Sequence, residues 1–156
     1  MKFERKLVIK EMKAEEIGLD SGVYEVETPI IGYKKVQCQT RYRESKRCIV
    51  TLIIPEGAKI VKPLPGRHDC KKLRANLAYV QDIKPFEWEI SPGDKLKSTS
   101  LYDVNFNYEK GRTVSVPVLN DNIEKVCTEG IHFFSNIESA KEFDMESNLD
   151  DPLLTD

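Results

Sequence analysis

Apolar and polar side chains alternate along most of this chain, and that period predicts a β protein. Tyr102, Val104, Phe106 and Tyr108 alternate with Asp103, Asn105 and Asn107, the pattern of a half-buried strand. Glu109-Lys-Gly111 turns the chain and Val114, Val116 and Val118 alternate back, so the two runs are expected to form a hairpin. Cys48 to Ile54 is apolar on both alternating faces and predicts a central strand covered on both sides, ended by Pro55-Glu-Gly57. Val23 to Glu27 and Ile30 to Val36 read as extended chain interrupted or preceded by Pro29. Leu73 to Ile83 reads as a strand because Tyr79, Val80 and Ile83 weigh against a helix. Phe86, Trp88 and Ile90 share one face of a further short strand.

Helical spacing enters only near the end. A strand at 130–134 leads to Ser135, which reads as an N-cap with Glu138 three residues on, a capping box. Ile137, Ala140 and Phe143 then line one face. The expected fold is α+β, a mostly antiparallel β-sheet with a short C-terminal α-helix. It forms one globular domain over 1–145, followed by an acidic disordered tail over 146–156.

Composition supports that frame. The 156 residues are 40% hydrophobic and 32% charged, which suits one soluble domain with one sizeable core. The longest apolar run, Cys48 to Ile54, is far short of the ~20 residues of a membrane-spanning helix. The first residues lack the apolar stretch of a signal peptide. A cytoplasmic location with no membrane association and reduced thiols is therefore expected. Cys38, Cys48, Cys70, Cys127, His68 and His132 show no tight ligand-pair spacing, so neither a metal nor another cofactor is implied.

Charge is segregated. From Lys34 to Arg74 twelve basic residues face three acids, a local charge of +9, although the whole chain carries −2. Seven acids follow from Glu138 onward against Lys141 alone. Such a split can create a local positive field that draws in small anions. The other reading is solvated loop charge, or an acidic tail folded over the basic face. Long nucleic acid is disfavoured, because the acidic remainder would repel a polyanion over most of its path.

The candidate ligand-binding residues are Tyr33, Lys34, Arg41, Arg43, Lys72, Arg74, Tyr108 and His132. Lys72 and Arg74 flank Leu73, so in extended chain both point to one face, where arginine supplies a fork suited to phosphate or carboxylate. The same pattern is also that of a charge-guarded edge strand. Arg41-Tyr-Arg43 interleaves an aromatic ring with cations, as base-stacking sites do. His132 lies in an apolar run, Gly130-Ile-His-Phe-Phe134, and reads either as a core imidazole held by a hydrogen bond or as a ligand-contacting group. No catalytic constellation is assignable. Cys127 and His132 sit five apart across a glycine turn and need not converge.

Several segments carry a family likeness. Gly32-Tyr-Lys-Lys, Ile49-Val-Thr-Leu-Ile-Ile-Pro-Glu-Gly-Ala58, Lys72-Leu-Arg-Ala75, Phe106-Asn-Tyr-Glu-Lys-Gly111 and Cys127-Thr-Glu-Gly-Ile-His-Phe-Phe134 occur in that order. Together they resemble a domain of unknown function in bacteria, phages and large DNA viruses, often appended to pentapeptide repeats. That family usually reads Lys-Cys-Arg-Ala where this chain has Lys72-Leu73-Arg74-Ala75, so any role of that cysteine does not carry over. The resemblance implies a viral or phage origin and no chemistry. Gly130-Ile-His-Phe-Phe with its following helix is also similar to a strand and helix of ADP-ribosyltransferases, which need a later strand bearing a catalytic glutamate.

Three functions follow as expectations. The first is a non-enzymatic viral accessory protein that captures a small anionic ligand such as a nucleotide signal. The second is an ADP-ribosyltransferase-like or other nucleotide-processing enzyme using His132. The third is a protein-interaction module using its acidic tail. Whether a site is shared between subunits of a homo-oligomer stays open.

Overall fold

A computed structural model describes residues 21–39, 45–64, 72–90, 97–99, 107–125 and 128–143. Among these residues ten strands and one helix follow in order. They are β1 (Gly22–Glu25), β2 (Ile30–Gln39), β3 (Ser45–Ile54), β4 (Lys59–Lys62), β5 (Leu73–Ala75) and β6 (Leu77–Pro85). Then come β7 (Lys97–Thr99), β8 (Asn107–Tyr108), β9 (Thr113–Ser115), β10 (Ile131–Phe133) and α1 (Ile137–Glu142). The strands make two antiparallel sheets, β1-β4-β5-β10 and β8-β7-β2-β3-β6-β9. The mostly antiparallel sheet with one short C-terminal helix is thus the observed architecture.

Alternation builds the larger sheet as the sequence expects. On β2 the even positions Ile30, Val36 and Cys38 are buried, and on β3 so are Cys48, Val50, Leu52 and Ile54. They face Tyr24, Ile60, Leu73, Ile131 and Phe133 of the smaller sheet across one core. The two sheets also touch edge to edge. Tyr33 N–H donates to the Phe134 carbonyl at 2.7 Å and Phe134 N–H to the Tyr33 carbonyl at 2.8 Å.

The expected hairpin is corrected by the pairing. The turn is present, with Gly111 at φ 87° and Arg112 N–H donating to the Glu109 carbonyl. The strands on either side of it do not pair with each other in the described residues. β8 pairs with β7 and β9 pairs with β6, at opposite ends of the larger sheet. Five residues span at most ~18 Å, whereas the outer strands of a flat six-stranded sheet lie ~24 Å apart. The sheet must therefore curl enough to bring those two edges within ~18 Å of each other near residues 108–113.

Three smaller expectations are also corrected. Phe86 to Ile90 is not a strand. Phe86 N–H and the Trp88 indole Nε1 both donate to the Arg47 carbonyl, at 3.0 and 2.6 Å, and Glu87 turns the chain at φ 64°. The helix N-cap is Asn136 rather than Ser135, its side-chain oxygen accepting from Glu138 N–H at 2.8 Å. Cys38 and Cys48, read from sequence as free thiols, are joined in a disulfide between adjacent strands, with Cα atoms 6.0 Å apart.

Candidate functional site

Strand alternation assembles the site on one face of the smaller sheet. β10 runs antiparallel to β5 with His132 opposite Arg74, so the two side chains share a face, together with Lys72 just before β5. Leu73, Ala75, Ile131 and Phe133 point the other way into the core. Lys34 comes from the inward side of β2 and donates from Nζ to the His132 carbonyl at 2.9 Å. Its ammonium lies 5.8 Å from the centre of the buried Tyr108 ring.

Lys72, Arg74 and His132 therefore share that face, while Lys34 and Tyr108 meet on the core side of β10 and join the group through the His132 carbonyl; all five lie inside the protein. Lys34, Lys72, Arg74, Tyr108 and His132 are each no more than 4% exposed. Among the described residues no carboxylate is buried. Tyr33 is brought near by its backbone bridge to Phe134, but its side chain lines a separate groove on the outer face of the larger sheet. Arg41 and Arg43 lie outside the described residues, as do the acidic tail and any strand that would carry a transferase glutamate.

Arg74 has a different task from the one its sequence context suggests. Its guanidinium donates to three backbone carbonyls, from Nε to Asn120 at 2.7 Å, from Nη1 to Lys125 at 2.6 Å and from Nη2 to Asn122 at 2.8 Å. The planar fork thus pins the 119–125 segment as a roof over this face. Asn120 and Asn122 complete the roof as Asx turns, accepting from the N–H groups of Asn122 and Glu124. The Asn-Asp-Asn run at 120–122 was the available sequence signal for this segment. Gly130 permits the close approach. It sits at φ 150°, and a Cβ there would lie 2.9–3.1 Å from Leu119 and Arg74 side-chain atoms.

Lys72 rests over the Phe143 ring at 4.6 Å, and Phe143 packs at 5.6 Å on Phe134. The ring of His132 is the exception in this closed arrangement. Neither Nδ1 nor Nε2 has a hydrogen-bond partner among the described residues. Burial holds its pKa well below 6.5, and the charges of Lys72, Lys34 and Arg74 push it in the same direction. The Thr128 carbonyl pulls weakly the other way without reaching hydrogen-bond geometry. The imidazole is therefore neutral, one nitrogen a donor and the other an acceptor.

That depression has a testable sign. Folding keeps His132 neutral while the unfolded chain binds a proton near pH 6.5, so its contribution to stability is complete above that pH and is lost as pH falls. Denaturation of the wild type should show stability declining as pH falls below about 6.5, with a limiting slope of about 1.4 kcal/mol per pH unit for this one proton. His132→Phe should flatten the decline. An unchanged slope in that variant would mean another group titrates there.

No metal-binding cluster of three or more His, Cys, Asp or Glu occurs among the described residues. Among the same residues no helix is long and apolar enough to cross a membrane.

These features define a two-sheet antiparallel β protein with a roofed, cation-rich face and, among the described residues, no assignable catalytic set. Residues 20–140 match a family of unknown function, DUF5758, and the chain belongs to that family. It is similar to the uncharacterized protein L223 of Acanthamoeba polyphaga mimivirus, with 33% identity over 139 residues, covering 79% of this chain and 88% of that protein. No solved structure matches.

Proposed function

We propose that this chain is a non-enzymatic viral accessory protein that captures a small anion, or the phosphate of a nucleotide, at the roofed face around His132. The observation that carries the reading is the pair of unpartnered nitrogens on a buried, neutral imidazole set among three cations. A buried polar group without a partner costs about 1–3 kcal/mol, a cost that an incoming anion oxygen would offset by accepting from the ring N–H. The surrounding positive charge favours an anion over a neutral ligand. The roof limits the ligand to a small one or to a single small charged group. The viral relative is compatible with a viral origin, and the acidic remainder of the chain disfavours long nucleic acid.

The test is thermal denaturation against inorganic phosphate, sulfate and a panel of mono-, di- and cyclic nucleotides at fixed ionic strength. A ligand at ~100 times its Kd stabilises by about 2.7 kcal/mol, and each kcal/mol raises Tm by roughly 2–4 °C in a chain of this size. A saturating rise of roughly 5–10 °C is therefore expected for at least one anion. His132→Phe should keep the fold and lose the response. No shift across the panel, or an equal shift in His132→Phe, would sink the proposal.

A further inference from the structure

The outer face of the larger sheet carries a second feature that the anion site does not use. An open groove of about 960 Å³ runs between α1 and the segment that follows β6. Ligand clefts typically measure ~300–1,000 Å³, so it is large enough to hold one. Its floor includes Ile31, Tyr33, Ile49, Thr51 and Gln81, and crosses β2, β3 and β6. Gln81 is the extra residue at a bulge, where Thr51 pairs with Asp82 and Leu52 with Val80. One wall is formed by Lys84 to Glu87 and the other by Ile137, Glu138, Lys141 and Glu142.

An outward sheet face in contact with water is ordinarily polar. Here Ile31 and Ile137 are 40% and 36% exposed, and a six-residue helix covers only part of the apolar floor. The charges on the walls are unequal. Lys141 is paired with Glu138 at 3.6 Å and Lys84 with Asp82 at 3.8 Å. Glu87 on one wall and Glu142 on the other have no ion pair among the described residues. The Phe86 ring on that wall already holds the Lys35 ammonium at 5.1 Å, so an incoming cation would rely on the two glutamates.

We propose that this groove binds an extended peptide segment of a partner protein, apolar at its centre and basic at both ends. Three strands set about 4.8 Å apart give a floor of about 10 Å, the length of three or four extended residues. The apolar centre would cover Ile31 and Ile137, and the basic ends would meet Glu87 and Glu142.

Fluorescence anisotropy with labelled pentapeptides tests this. The probes are Lys-Leu-Val-Leu-Lys, its Glu-Leu-Val-Leu-Glu counterpart and its Ser-Leu-Val-Leu-Ser counterpart. The basic peptide should bind best and weaken with added salt. The exposed double variant Glu87→Gln/Glu142→Gln should lose roughly tenfold affinity for it, with an unchanged melting temperature. Thr51→Arg should abolish binding by filling the floor with bulk and positive charge, and the double variant keeps the test decisive if that substitution disturbs the fold. Equal binding of the acidic peptide, or a flat titration to ~1 mM, would overturn the proposal. So would self-association removed by Thr51→Arg, because the groove would then belong to a second copy.

Discussion

Arg74→Met should destabilise the protein by about 2–4 kcal/mol, read from the midpoint and slope of denaturant unfolding. Hydrogen bonds from a charged donor contribute about 1.5–3 kcal/mol each. Three end on the carbonyls of Asn120, Asn122 and Lys125, but those carbonyls are only part-buried and can turn to water, so their sum overstates the loss. Removing the cation also spares the cost of burying it, which offsets part of the effect. The damage should be local before it is global, with amide exchange and proteolysis rising first at 119–125. Arg74→Lys should recover less than half the stability, since an ammonium cannot span three carbonyls. A change under ~0.5 kcal/mol in Arg74→Met would mean that the roof is held by other contacts.

Gly32→Ala should cost about 1–3 kcal/mol through overpacking between the sheets. A Cβ on Gly32 would sit 2.5 Å from Phe133 Cδ2 and within 3.2 Å of two further ring atoms. Phe133 is fully buried in β10, so its ring has little room to retreat. Gly32 is a strand glycine required by a close approach rather than by a turn. The mechanism is separable by a double-mutant cycle. Phe133→Leu loses packing on its own, yet Gly32→Ala/Phe133→Leu should be more stable than the summed single effects predict. Strict additivity would show that the two positions do not press on each other.

Much of this architecture was legible in the sequence because alternation reports burial directly. Ile30 to Val36, Cys48 to Ile54 and the apolar run around His132 all became strands, and the helix began within one residue of its expected start. The one-residue error at the cap has a simple cause. Ser135 and Asn136 are both good capping residues, and only geometry decides whose oxygen meets the Glu138 N–H. Pairing was less legible. The turn at 109–112 signals a chain reversal but not the partners of the strands on either side, and here curvature of the whole sheet supplies different neighbours. Cys48 to Ile54 showed two apolar faces, which reads as double coverage, yet one of those faces forms the groove floor.

The candidate site shows the same division. Counting charge located a basic segment, but the count could not say that Lys34 and Arg74 point inward to meet backbone carbonyls. The burial of His132 followed from its apolar neighbours, whereas the lack of a partner for its ring did not. Long-range contacts such as Arg74 with the 120–125 carbonyls leave no local periodicity to read.

The curled sheet also bears on how the chain reaches its native state. Tyr108 and Thr113 are near neighbours along the backbone, yet among the described residues they end β-ladders connected through β7, β2, β3 and β6. Strands cannot simply be added outward from a local nucleus, because the last two ladders wait for the central ones to exist. Refolding should therefore be governed by slow loop closures, on the order of milliseconds to seconds, as in other β proteins dominated by distant pairings.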